Sequence, residues 1–98
     1  MFTIIWTDHA LQDLDTIYIF LTEKSQQAAN QLIFKILDRV KQLEEFPESG
    51  QEQLLPNTGT FRYLVEGNYK IMYEFEKEAV FILTVFDTRQ NPEKLKLH

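Results

Sequence analysis

Three basic side chains in the last third of the chain, Arg62, Lys70 and Arg89, are the residues whose type and spacing could do chemistry. Each lies in or just after a strand-like run, with tight turns at Glu66-Gly67-Asn68 and Glu76-Lys77-Glu78 between the runs. Gathered at one spot from separate strands, three cations would make an anion site, suited to a phosphate or to a partner's carboxylates. The same side chains have acids nearby. Arg62 and Lys70 could pair across strands with Glu66 or Glu74, and Arg89 with Asp87 beside it. The sequence leaves both readings open.

Little else competes with these three. There is no cysteine, and of the two histidines His9 stands at a helix start and His98 is the last residue, so neither is placed as a general base. No phosphate-binding glycine loop, dinucleotide fingerprint, zinc-protease motif or nucleophile elbow occurs. The neighbouring acids Asp13 with Asp15, and Glu44 with Glu45, point in different directions on a helix and form no acid–base dyad. No metal and no cofactor is expected.

The elements that must position the cations follow from hydrophobic spacing. Phe2 to Trp6 reads as a short entry or edge strand. Thr7 or Asp8 then caps a helix whose apolar stripe is Ala10, Leu11, Leu14, Ile17, Tyr18 and Leu21. Glu23-Lys24-Ser25 interrupts it. Ser25 caps a second helix carrying Ala29, Leu32, Ile33, Ile36, Val40 and Leu43, which should run to about Phe46 and stop before Pro47. So short a connection makes the two helices antiparallel. Pro47 to Thr60 reads as a loop pinned by Leu54 and Leu55.

Phe61–Val65, Tyr69–Phe75 and Ala79–Asp87 then read as strands. The first alternates Phe61, Tyr63 and Val65 against Arg62 and Leu64. The second alternates Tyr69, Ile71, Tyr73 and Phe75 against Lys70, Met72 and Glu74. The aromatic sides are expected to pack against the helices, as core and not as a stacking platform for bases. Arg62 and Lys70 are then expected together on the other face. Val80–Phe86 is apolar on both faces, as an interior strand would be. The outcome is one α+β domain over residues 1–98, in the order β-α-α-β-β-β, with an antiparallel helical hairpin on one face of a mostly antiparallel sheet. The place of the first strand stays open.

Bulk properties agree with a single packed domain: 98 residues, 44% hydrophobic and 13% aromatic. The net charge of −5 is uneven. Residues 1–60 hold four Lys/Arg against nine Asp/Glu, and residues 61–98 hold six against six. Such a chain lacks the basic field of a protein that grips DNA by itself. With no basic apolar leader and no long apolar run, the expectation is a cytoplasmic protein without a membrane segment.

Taken in order, several pieces resemble the RelE/ParE superfamily of toxins from type II toxin–antitoxin, or plasmid stabilization, systems. They are Ala10-Leu11-Gln12-Asp13-Leu14 with Ile17 and Tyr18, then Leu43, Phe46-Pro47-Glu48-Ser49-Gly50 and Phe61-Arg62-Tyr63-Leu64-Val65. Asn68-Tyr69-Lys70-Ile71-Met72-Tyr73 and the run from Ile82 through Asp87-Thr88-Arg89-Gln90-Asn91-Pro92 complete the set. The resemblance implies a cognate antitoxin as partner and growth inhibition by the free toxin. RelE-like members cut mRNA on the ribosome, and ParE-like members poison DNA gyrase. Carried over by position, Arg62 stands where RelE-like enzymes have a sheet lysine and Leu64 where they have a second. Lys70 replaces a catalytic arginine, and Arg89 lies near the arginine after the last strand. No tyrosine or histidine follows Arg89 except His98. Two catalytic roles are therefore vacant, which places the chain closer to the ParE-like members. The alternative is an endonuclease using Arg62, Lys70 and Arg89.

Overall fold

The computed structural model describes residues 1–56 and 59–89. Its elements are β1 (Thr3–Trp6), α1 (Asp8–Thr22), α2 (Gln26–Lys41), two 3₁₀ turns at Gln42–Glu44 and Pro47–Ser49, and then β2 (Gln51–Leu55), β3 (Gly59–Glu66), β4 (Tyr69–Glu76) and β5 (Ala79–Asp87). The five strands form one sheet in the order β1-β5-β4-β3-β2. All neighbours are antiparallel except β1, which runs parallel to β5 with Thr3 opposite Ala79 and Trp6 opposite Ile82. β5 thus has a neighbour on each side, as its two-sided apolar run requires.

Hydroxyls start both helices. The Thr7 side chain accepts from the Ala10 N–H at 3.2 Å and Ser25 from the Ala28 N–H at 3.1 Å, each supplying a donor of the first turn with its missing partner. Thr7 also donates to the Ile82 carbonyl at 2.7 Å, which ties the start of α1 to β5. α2 ends sooner than its apolar spacing suggests, tightening into 3₁₀ geometry at Gln42 before Pro47. The helices join through Tyr18, whose hydroxyl donates to Asn30 Oδ1 at 2.9 Å and accepts from Gln26 Nε2 at 2.8 Å. Ala10, Ile36, Val40 and Leu43 pack on Leu64, Ile71, Tyr73, Val80, Ile82 and Val85 as one buried cluster.

Two features depart from the sequence-based expectation. Part of the segment expected as a loop is a strand, β2, paired with β3 through Gln51–Tyr63 and Glu52–Arg62. Gln-Glu-Gln-Leu-Leu has little intrinsic strand preference, so pairing and not propensity makes it a strand. The second departure concerns faces. Residues directly opposite in an antiparallel pair share a face. Arg62 is opposite Tyr73 and Leu64 is opposite Ile71, so the even-numbered residues of β3 lie on the helix side. Phe61, Tyr63 and Val65 lie on the other face and are not core against the helices. Phe81, opposite Glu74, lies there too. Tyr69, Tyr73 and Phe75 are on the helix side as expected.

A bulge sets the register of β5. Met72 is opposite Thr84 while Tyr73 is opposite Ile82, so Leu83 is the extra residue. This lets Ile82 and Val85, three apart, both reach the core. Past Ile82 β1 no longer flanks β5, and the Val85 N–H would face an open edge. Asp13 of α1 takes it at 2.9 Å and accepts the Thr84 hydroxyl at 2.6 Å, both on Oδ2.

Candidate functional site

The strand register separates the three candidate cations. Arg62 is on the helix side of β3. Lys70, opposite Val65, is on the far face of β4. Three strand positions divide them along the sheet, about 10 Å at the usual rise. Arg89 follows Asp87 at the exit of β5, level with Tyr69. Arg62 and Lys70 therefore do not meet on one face. The expectation of convergence fails because alternation along each strand defines two faces without saying which one the helices cover.

Each cation is engaged locally. Arg62 Nη1 donates to the carbonyls of Glu48 at 3.1 Å and Gly50 at 2.9 Å, and Nη2 pairs with Glu52 Oε1 at 3.0 Å. Its guanidinium lies 5.9 Å from the Phe75 ring centroid. The partner acid is thus Glu52 of β2, which a loop assignment conceals, and not Glu66 or Glu74. The Lys70 ammonium sits 4.2 Å over the ring of Tyr63, whose hydroxyl donates to Gln51 Oε1 at 2.8 Å. Arg89 grips Asp87 with Nε on Oδ1 at 3.0 Å and Nη2 on Oδ2 at 2.6 Å. That is the local pair the sequence allowed for. The Arg89 hydrogen bond holds the Asp87 carboxyl below the usual range, although burial pulls the other way.

Arg62 belongs to a larger clamp on the Pro47–Gly50 turn. The buried Tyr73 hydroxyl donates to the Pro47 carbonyl at 2.7 Å and accepts from the Gly50 N–H at 2.8 Å. Burial raises the Tyr73 pKa, opposed by the Gly50 N–H and by the charge of Arg62. Gly50 is there for closeness of approach: a Cβ on it would stand 2.4 Å from Tyr73 Oη, 2.7 Å from Tyr73 Cε1 and 2.9 Å from the Tyr63 carbonyl oxygen. Tyr73, Glu52 and Gly50 are site-shaping residues that sequence reasoning did not single out; the signal available was the Pro-Glu-Ser-Gly run, a compact turn in front of a strand.

The histidines stand apart from the cations. His9 pairs with Asp13 at 3.5 Å, at the contact of α1 with β5, and His98 lies outside the described residues. Among the described residues no group of His, Asp and Glu could hold a metal ion, and no helix is long and apolar enough to cross a membrane.

Large apolar side chains stand open to solvent on the helices. On the helical hairpin Leu11, Ile19, Phe20, Phe34 and Leu37 are all exposed, Phe34 at 71%. Leu11 and Ile19 are eight residues apart, and Phe34 and Leu37 three, so each pair recurs along one side of its helix.

The model of the family described as "ParE toxin of type II toxin-antitoxin system, parDE" matches residues 4–92. Among solved structures 12 chains match significantly. One, titled "Chromosomal ParDE TA system from P. aeruginosa", superposes with a TM-score of 0.73 at 22% sequence identity, covering 89% of this chain and 96% of that one. At that identity the likeness speaks for the fold. A search of curated proteins found no significant match. With the family model spanning every element from β1 to β5, the chain belongs to the ParE toxin family of type II toxin–antitoxin systems.

Proposed function

We propose that this protein inhibits growth by binding a protein target, DNA gyrase, without chemistry of its own, and that a cognate antitoxin neutralises it. The observation that carries the reading is the separate engagement of Arg62, Lys70 and Arg89. Cleaving RNA requires a proton acceptor and charge stabilisers held together around one reacting phosphate. Here one cation supports a turn, one lies on the far face over a tyrosine, and one closes on its neighbouring aspartate. The resident antitoxin of the ParDE pair in P. aeruginosa supports a partner of the same kind here. The exposed apolar residues of the helical hairpin suit an amphipathic segment laid across them.

The test is to induce the chain in cells and assay two targets. Detergent-trapped gyrase–DNA complexes with intact mRNA are expected. Codon-specific cuts in translated mRNA, mapped by primer extension and lost in Lys70→Ala and Arg89→Ala, would overturn the reading. So would the absence of both effects together with unimpaired growth. Co-expression of a short neighbouring open reading frame should restore growth, and the rescue should weaken in a Phe34→Asp variant.

A further inference from the structure

The two edges of the sheet are treated differently. At β1 the Phe2 N–H donates to the Glu44 carbonyl at 2.8 Å, so the 3₁₀ turn at Gln42–Glu44 guards that edge. At the opposite edge β2 pairs with β3 on one side, and among the described residues no strand pairs with its other side. Natural edge strands are blunted by lysine, by proline or by an inward charge. Residues 51–54 are Gln-Glu-Gln-Leu; the inward charge, Glu52, is neutralised by Arg62, and the proline, Pro56, stands just past the strand. Leu54 stands 76% exposed.

The chemistry of this edge suits its own copy. In an antiparallel pairing centred on Gln53, Gln53 faces Gln53 and Glu52 of one copy faces Leu54 of the other. Both of these lie on the helix side, because Glu52 is opposite Arg62 and Leu54 is two residues further on. No like charges are directly opposed, and the one carboxylate that each copy brings, diagonal to the other, already has a cation in its own chain. We infer that two copies of this chain join edge to edge through β2, antiparallel about Gln53, into one continuous sheet with both helical hairpins on the same face. Each copy carries a net charge of −5, so the association strengthens as salt screens the repulsion, whose range is about 8 Å at physiological ionic strength.

The test is the mass in solution of the purified chain, by light scattering across concentration and salt. The expected result is a concentration-dependent rise from 11.7 kDa toward twice that value, greater in high salt. Amide exchange at residues 51–54 should slow in parallel. Two variants at one exposed position read the register. Leu54→Glu, placed opposite the partner's Glu52, should remain a single chain. Leu54→Lys, placed opposite the same carboxylate, should associate at least as readily as the unaltered chain. A single-chain mass under all conditions would overturn the inference. So would equal behaviour of the two variants, or protection of 51–54 that appears only when an antitoxin is bound. None of these readouts depends on toxicity.

Discussion

Replacing Arg62 by alanine would be the obvious test of a catalytic arginine, and the structure gives it a different meaning. The side chain makes two hydrogen bonds to backbone carbonyls, one pairing with Glu52 and one contact with the face of Phe75. The contributions are unequal. Glu52 is 64% exposed, so its pairing adds at most about 0.5 kcal/mol after solvent screening. The Glu48 carbonyl bond is exposed and adds about as little. The Gly50 carbonyl is part-buried and would lose a charged donor, at a cost of about 1–1.5 kcal/mol. Stacking on Phe75 and burial of the aliphatic stem add roughly 0.5–1 kcal/mol. The sum is about 1.5–3.5 kcal/mol. For a chain of 98 residues that lowers the melting temperature by roughly 6–28 °C.

The measurement is urea and thermal unfolding of Arg62→Ala beside Arg62→Lys. Lysine keeps the charge but cannot span two carbonyls and a carboxylate, and should recover less than half of the loss. If Arg62→Ala leaves the unfolding midpoint within about 0.5 kcal/mol of the unaltered chain, the clamp contributes nothing and the structural assignment of Arg62 is refuted. If stability is unchanged while cellular activity disappears, Arg62 is free to act on a target and the reasoning about spent cations fails with it.

Two further outcomes follow from the same geometry. Tyr73→Phe removes a hydroxyl that satisfies both the Pro47 carbonyl and the Gly50 N–H in a fully buried place, and should cost about 2–4 kcal/mol in urea unfolding. Gly50→Ala should cost at least as much, and Tyr73→Phe should relieve it only partly, since the added methyl also meets the ring carbon Cε1; a fully additive double mutant would refute the contact. Asp87 has its folded-state pKa lowered by Arg89, so the pair contributes stability above the ordinary aspartate value near 4, and the contribution is lost as pH falls through the lowered value. Arg89→Ala should therefore lower the neutral plateau slightly and leave stability at low pH unchanged, so that the acid limb flattens by the same small amount, Arg89 being largely at the surface.

How far the sequence discloses this molecule depends on the range of the interaction involved. Helix starts are local, and Thr7 and Ser25 are legible because a hydroxyl meets an N–H three residues on. The interior position of β5 is legible because both of its faces are apolar. The identity of β2 is not, since Gln51–Leu55 becomes a strand only by pairing with residues four to twelve positions later, against its own weak strand preference. Asp13 is illegible for the same reason. On its helix it reads as one more surface acid, and its role appears only when Thr84 and Val85 arrive from 71 and 72 residues away. The parallel place of β1 beside β5 is of this kind too.

The face of β3 is the instructive case. By hydrophobicity Phe61, Tyr63 and Val65 outrank Arg62 and Leu64, so alternation alone assigns them to the core. The helix side instead receives Arg62, because Glu52, the turn carbonyls and the Phe75 ring together solvate its guanidinium there. An arginine so accommodated supports the turn and the edge strand. Lys70 keeps the far face expected of it, and the aromatic residues displaced there bring Tyr63 beneath its ammonium. That one change of parity divides the candidate anion site between two faces of the sheet.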